Sequence, residues 1–495
     1  MTAVPIPRRV RLGRRGRSIP DQAEARAFLE RLAGRPPIET QISAVFVGED
    51  TVWKLKRPVR LSFLDFTDIE ARRCFLMREL DLNAPGAPGL YRDVVPITRA
   101  GGGLTLGGDG VPIDWVLRMA RVPLEDFLDV RAAAGPLDTA LLDALGDMVA
   151  ADHARRPSES VADPVVAMRQ NVEGNARAAL ASGLPAADVA AWRQAALDSL
   201  ERCAERVEQR EAAGLVRRAH GDLHLGNICL WQGRPAPFDA LEFDERMATI
   251  DLGYDLAFLL MDLDRRSGRA AANRVLNRYV ARTGDAGLVG LLPLFLSRRA
   301  MVRAHVAGGT EGLGYLAAAL RHIQPPPGCV VAIGGLPGAG KSTLARALAP
   351  GLGPAPGALI VRSDEVRKRL HGVAPEQRLP PEAYSAEANR RVEAALLEAI
   401  RQAEGHAVIA DATFLDVGLR RAVAKIGRPF VGIWLEAPLD ELERRVATRS
   451  GDASDATPDV LRRMASRGPG AGDWHRVRAD SEVLARSFSI INQMQ

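Results

Sequence analysis

Gly335-Leu336-Pro337-Gly338-Ala339-Gly340-Lys341-Ser342 satisfies the pattern G-x-x-x-x-G-K-[ST], and its flanks decide how it is read. A β-branched run (Val330, Val331, Ile333) precedes it, and a helical stretch starting at Thr343 follows. Strand, glycine-rich turn and helix together aim backbone N–H groups and a helix N-terminus at a phosphate. Gly335, Gly338, Ala339 and Gly340 form the cradle in this reading. Lys341 reaches the β- and γ-phosphates of ATP, Ser342 offers its hydroxyl to Mg2+, and Thr343 opens the helix. A chance glycine-rich turn accounts for neither flank.

A phosphate loop alone does not separate a kinase from a motor or a switch, and the residues after it narrow the choice. Asp364 follows a second predicted strand (358–361), which puts it near the sheet edge where ligands bind. A carboxylate there can accept a proton from an attacking hydroxyl. Arg367, three residues on, is placed for an anionic part of the acceptor. A third predicted strand ends at Asp411, a candidate partner for magnesium-bound water. Arg445 and Arg449 are four apart and share one helical face, as lid arginines would. The plainer alternatives are a helix cap at Asp364 and solvated charges at the two arginines. This half resembles the P-loop small-molecule and polynucleotide kinases, a group that includes gluconate kinases and zeta-toxin-like kinases, and is similar to ATP-binding sequences of the AAA type. The resemblance implies Asp364 as base, Arg367 as acceptor contact, and Arg445 and Arg449 as lid residues.

Upstream, His220-Gly221-Asp222-Leu223-His224-Leu225-Gly226-Asn227 has the spacing H-x-D-x-x-x-x-N of a kinase catalytic loop. Asp222 is placed for the substrate hydroxyl and Asn227 for a metal ion. A second carboxylate, Asp239, follows on the next hairpin as the other metal ligand. Asp255 opens a helix and reads as a brace for the loop. Lys54 and Lys56 are two apart on one predicted strand, so both point to one face, and Glu79 on the next helix can pair with either. Lys56 is the preferred nucleotide clamp because it directly precedes the Arg57-Pro58 break, and Lys54 is the other candidate. This part resembles the aminoglycoside phosphotransferase and choline kinase group of protein-kinase-like enzymes over residues 40–320. The resemblance implies two lobes with adenine at a hinge near residues 119–122. The chain departs from protein kinases in lacking G-x-G-x-x-G before the lysines. The Gly101-Gly102-Gly103 run reads as a hairpin turn. Whether Glu242 or Asp244 assists the metal stays open.

The expected fold class is an α+β two-lobed protein-kinase-like domain followed by an α/β P-loop domain with a mostly parallel sheet. The expected divisions are a basic segment with a leading helix (1–37), a strand-rich lobe (38–125), a helical lobe (126–323), a proline linker (324–328) and the P-loop domain (329–495). The formal charge of +5 is a property of the tail, since residues 1–20 hold six arginines and no acid. The rest of the chain is close to neutral, and only 5% of residues are aromatic, which argues against a nucleic-acid-binding body. Nucleic acid stays possible as a partner but is not favoured. Four scattered cysteines, with no signal peptide and no bilayer-length apolar run, lead us to expect a cytoplasmic protein without a membrane partner.

Only five residues are lysine (Lys54, Lys56, Lys341, Lys368, Lys425) among 66 basic ones. Each is therefore a candidate for a place where a compact ammonium is required, and three of the five fall in motifs that need one. The leading reading is a bifunctional ATP-dependent phosphotransferase acting on hydroxyls of small-molecule or nucleotide-like acceptors. A single active domain with a nucleotide-binding regulator, or a polynucleotide 5′-kinase, stays open. No motif identifies the acceptor or the oligomeric state.

Overall fold

The computed structural model describes residues 21–61, 64–427, 429–448, 452–466 and 474–493. Arg449 and the arginines of residues 1–20 lie outside the described residues. The chain divides into two compact units, Met1–Pro123 with Phe238–Glu245, and Leu124–Pro237 with Arg246–Gln495.

The first unit is built on a six-stranded antiparallel sheet. Its order is Ile38–Glu39, Ser43–Val47, Thr51–Lys56, Val111–Ala120, Tyr91–Ala100, Gly103–Leu106. Hairpins form at residues 48–50 and, as expected, at Gly101-Gly102. Gly48 N donates to Thr51 O (2.9 Å), and Gly101 and Gly102 take positive φ between the last two sequential strands. Helix Ile69–Asn83 packs on this sheet. Asp68 caps it, its carboxylate accepting from Glu70 N (2.9 Å) and Ala71 N (3.1 Å). Arg72 on this helix grips buried Asp114 through two hydrogen bonds (3.0 and 3.1 Å), which fixes the helix against the sheet.

The second unit begins with helices. Thr139–Arg155, Pro164–Ala181, Ala186–Arg202, Leu252–Ser267, Arg269–Thr283, Leu292–Ala307 and Gly309–Ile323 are the longer ones. Between them lie two short ribbons, Val216–Arg218 with Thr249–Asp251 and Ile228–Trp231 with Arg234–Pro237. After the proline run the chain enters a five-stranded, all-parallel sheet of order Leu359–Arg362, Val408–Asp411, Val330–Gly335, Phe430–Glu436, His475–Arg478. The strand that feeds the phosphate loop is central, and its successor in sequence lies two places away. That crossover opens a crevice at the strands' C-terminal ends.

The proline run divides the sequence but not the packing. One apolar core contains Leu256, Val275 and Leu292 from the helices and Val330, Leu359, Val361 and Leu396 from the sheet side. Helix Arg269–Thr283 also completes the sheet's edge strand. Asn277 Oδ1 accepts from Ile360 N (2.6 Å), and Asn277 Nδ2 donates to Ala358 O (3.2 Å). One side-chain amide thus supplies both bonds that a neighbouring strand would have made. Among the described residues no helix is long and apolar enough to cross a membrane.

Asn277→Ala leaves Ile360 N without its acceptor, while Ala358 O keeps the bond from Asn273 Nδ2 (3.0 Å). The expected loss is about 1–3 kcal/mol of unfolding free energy, read as a lower urea midpoint at an unchanged slope.

Candidate functional site

Helix Lys341–Leu348 starts directly after the glycine loop, with Gly338 (φ 84°) and Gly340 (φ 88°) in conformations that side chains rarely adopt. At Gly338 a β-carbon would also sit 2.8 Å from Leu442 O, so the loop lies hard against helix Leu439–Thr448. Arg445 of that helix donates to Gly338 O (3.3 Å) and pairs with Glu441. Lys341 Nζ donates across the loop to Leu336 O (3.1 Å). Ser342 Oγ donates to Asp411 Oδ2 (2.5 Å), so the two residues expected on the magnesium side face each other. A hydroxyl beside a carboxylate at the end of the neighbouring strand suits a hard divalent cation with oxygen ligands.

These residues open into a cavity of about 1570 Å³. Gly338, Gly340, Lys341, Ser342, Asp411 and Arg445 line one part of it, and Asp364, Arg367, Tyr384 and Asn389 line another. Asp364 stands in the first turn of helix Ser363–Leu370. Burial raises its carboxyl above the ordinary aspartate value, with Arg362 opposing and Asp411 adding to the rise. Arg367 is buried, donating to Ala383 O (2.6 Å) and Asn389 Oδ1 (2.8 Å), with its guanidinium 4.6 Å from the Tyr384 ring centre. It is therefore built into the cavity wall rather than reaching out from it.

Within the first unit, buried Glu79 bridges both lysines, accepting from Lys54 Nζ (2.6 Å) and Lys56 Nζ (2.7 Å). Their other partners differ. Lys54 pairs with Asp239, and Lys56 pairs with Glu242 (2.5 Å). The Lys56 side chain is 0% exposed, whereas that of Lys54 is 11% and that of Asp239 is 43% exposed. Burial by itself would lower Lys54, but Asp239, Glu79 and Glu242 outweigh it and hold the ammonium well above the usual lysine value. Asp239 has φ 60°, a conformation uncommon outside glycine, and its N–H donates to Tyr91 OH (2.9 Å). Lys56 is sealed between two carboxylates, and Lys54 is the lysine next to Asp239.

Within the second unit, the loop carrying Asp222 is pinned from two helices. Asp255 accepts from His220 N (3.1 Å) and Gly221 N (2.9 Å), and Asp262 accepts from Leu225 N (3.0 Å). Arg299 donates to Gly221 O (3.1 Å) and Tyr254 O (3.0 Å). Asn227 Nδ2 donates to Asp222 O and Oδ2 (both 2.9 Å), which turns its amide oxygen into the atom able to ligate a cation. Burial would raise Asp222, but His224 Nε2, 3.5 Å away, and the charges of His220 and Arg299 keep its carboxyl below the usual value. His224 Nδ1 also accepts from Gly226 N (3.1 Å). This histidine is part of the turn as well as a neighbour of the aspartate.

Sequence reading missed Arg362, which ends the edge strand and pairs with Asp411 (3.2 Å), Glu365 (3.2 Å) and Asp452 (3.1 Å). The parallel register sets Arg362 beside Asp411, and only the strand order reveals that. Arg299 and Asp262 were missed for the same reason. Their one sequence signal is a charge inside an otherwise apolar helical stretch.

Residues 330–468 match the AAA domain family. Over 470 residues the chain is 29% identical to uncharacterized proteins of Mycobacterium tuberculosis and Mycobacterium bovis, covering 89% of this chain and 91% of theirs. Solved structures with similarity include a gluconokinase from Sinorhizobium meliloti (19% identity, 34% of this chain and 93% of that one, TM-score 0.26). They also include a choline kinase from Cryptosporidium parvum (10% identity, 59% of this chain and 87% of that one, TM-score 0.35).

Replacing Glu79 by Gln removes the anion that two buried ammoniums share. The Glu79→Gln chain is expected to be less stable by roughly 3 kcal/mol, measured by urea unfolding monitored through tryptophan fluorescence.

Proposed function

We propose that the chain is an ATP-dependent phosphotransferase with two nucleotide sites, each passing the γ-phosphoryl group to a hydroxyl of a small-molecule or nucleotide-like acceptor. The observation that carries the reading is the wall of the P-loop cavity: Lys341, Ser342 and Asp411 along one part and a carboxylate of raised proton affinity, Asp364, along another.

At this site the glycine loop and Lys341 bind the phosphates. Ser342 Oγ, with Asp411 behind it, would hold magnesium, which would supply neutralising charge to the phosphates. Asp364 orients the acceptor hydroxyl and takes its proton as the oxygen bonds to the γ-phosphorus and the bond to the β-phosphate oxygen breaks, releasing ADP. Its raised proton affinity suits a base for a hydroxyl, and the Arg362 charge opposes the rise. Arg445, tied to Gly338 O, stands at the phosphate end, where charge shifts toward the leaving group. Arg367 shapes the acceptor wall, and Arg449 is assigned the second lid position from its spacing alone.

At the other site Lys54 holds the α- and β-phosphates, with Glu79 keeping it charged and Lys56 as its structural counterweight. The catalytic-loop spacing assigns Asp222 the acceptor proton and Asn227 a metal-ligand role, and Asp239, beside Lys54, would be a metal ligand by its place in the sequence. Asp222 stays ionised because its histidine and arginine neighbours favour the anion. In this scheme the aspartate works by orientation and charge more than by proton affinity.

The test is ATP turnover by wild type, Lys341→Ala, Asp222→Ala and the double variant, against sugars, aminoglycosides, nucleosides and 5′-hydroxyl oligonucleotides. Each single variant is expected to abolish transfer to a different acceptor set, and the double variant to abolish all of it. If Lys341→Ala removes every transfer and Asp222→Ala none, the two-site reading is wrong.

A further inference from the structure

Of the five lysines, Lys368 has no part in the chemistry above, yet it is the one buried most completely on the P-loop side, at 1% exposure. It stands near the end of helix Ser363–Leu370, the same helix that carries Asp364 and Arg367. Its ammonium donates to Gln377 O and to Asp455 Oδ2 (2.6 Å). That one carboxylate oxygen also accepts from Leu379 N (3.1 Å) and Tyr384 OH (2.5 Å). Three separate segments therefore meet at a single ion pair: the helix, the 377–384 loop and the 452–455 strap.

What the strap reaches is the chemical end of the cavity. Asp452 pairs with Arg362 (3.1 Å), and Ser454 hydrogen-bonds the Asp364 carboxyl. Tyr384, held by Asp455, is the ring against which the Arg367 guanidinium packs. Asp364, Arg367, Tyr384, Ser454 and Asp455 all line the cavity, and Lys368 does not. Lys368 thus does not line the cavity itself, and through Asp455 it orders several groups that do. Burying an ammonium is unfavourable unless it is paired and hydrogen-bonded, and here it is both. A guanidinium, larger and planar, does not fit two acceptors in so closed a space, which explains a lysine in a chain that otherwise uses arginine.

We propose that Lys368 is a positioning residue of the P-loop site: through Asp455 it fixes the strap and Tyr384 against helix Ser363–Leu370, so that Asp364 is held in register for the attacking hydroxyl. The proposal rests on the phosphoryl-transfer reading of this site. Its effect is on the acceptor side and leaves the grip on ATP alone.

The experiment uses the full chain carrying Asp222→Ala, which silences the other site, with Mg·ATP as substrate and water as the acceptor. Lys368→Met and Asp455→Asn are each expected to lower kcat for hydrolysis roughly tenfold while KM for ATP stays within about twofold, because misplacing a reacting group acts on the chemical step. Asp455→Asn changes only the charge of the anchor and carries the expectation if Lys368→Met does not fold. A kcat within about twofold of the parent, or a KM that rises in proportion as kcat falls, overturns the proposal. Hydrolysis that survives Lys341→Ala in this background removes the phosphoryl-transfer reading itself. Loss in Lys341→Ala with no change in Lys368→Met or Asp455→Asn leaves that reading standing and sinks the positioning role alone.

Discussion

The apolar core that runs from the helices of the second unit onto one face of the parallel sheet sets where the P-loop cavity can be. Burial of Leu359, Val361 and Leu396 against helical residues fixes the edge strand, and that strand delivers Arg362, Asp364 and Arg367 in turn. An edge strand normally carries unpaired backbone groups that invite slippage or foreign pairing. Here Asn277 answers two of them with one amide. The acceptor side of the cavity is therefore referenced to helices that, in sequence, belong before the proline run. Nonpolar burial gives the adhesion, at about 25 cal/mol per Å², and the amide gives the register.

The buried charges fall in sets. Glu79 with Lys54 and Lys56, Asp455 with Lys368 and Tyr384, and Arg362 with Asp411 and Asp452 each join opposite charges from separate segments, with Glu79, Lys56, Lys368, Arg362 and Asp411 buried. A buried ion left without its partner is costly, so each set constrains the segments that contribute to it. The scarcity of lysine is intelligible in these terms. Four of the five lysines lie in the two candidate sites or directly behind one of them, where an ammonium must meet several oxygens at once.

The phosphate loop was legible because its chemistry is local: glycines at fixed spacing, an apolar strand before and a helix after. The order of a strand-rich part, a helix-rich part and alternating strands and helices was legible for the same reason, from periodicity and turn residues. Asp255 was recognisable as a brace because it opens a helix soon after the catalytic-type loop. Strand spacing could not separate Lys54 from Lys56, since residues two apart share a face; the distinction lies in burial and in which carboxylate, Asp239 or Glu242, comes to each. Arg362 and Asp452 gave no local signal, and the scarcity of lysine marked Lys368 without showing what it meets. Their partners lie up to 90 residues away in sequence, and only the folded sheet and strap bring them together.

The central claim is that one chain holds two independent nucleotide sites. It is tested most directly by the stoichiometry of a non-hydrolysable Mg·ATP analogue on the full chain, measured by calorimetric titration. The account predicts two analogue molecules per chain in the wild type and one in Lys341→Ala. One per chain in the wild type, lost entirely in Lys341→Ala, would contradict it.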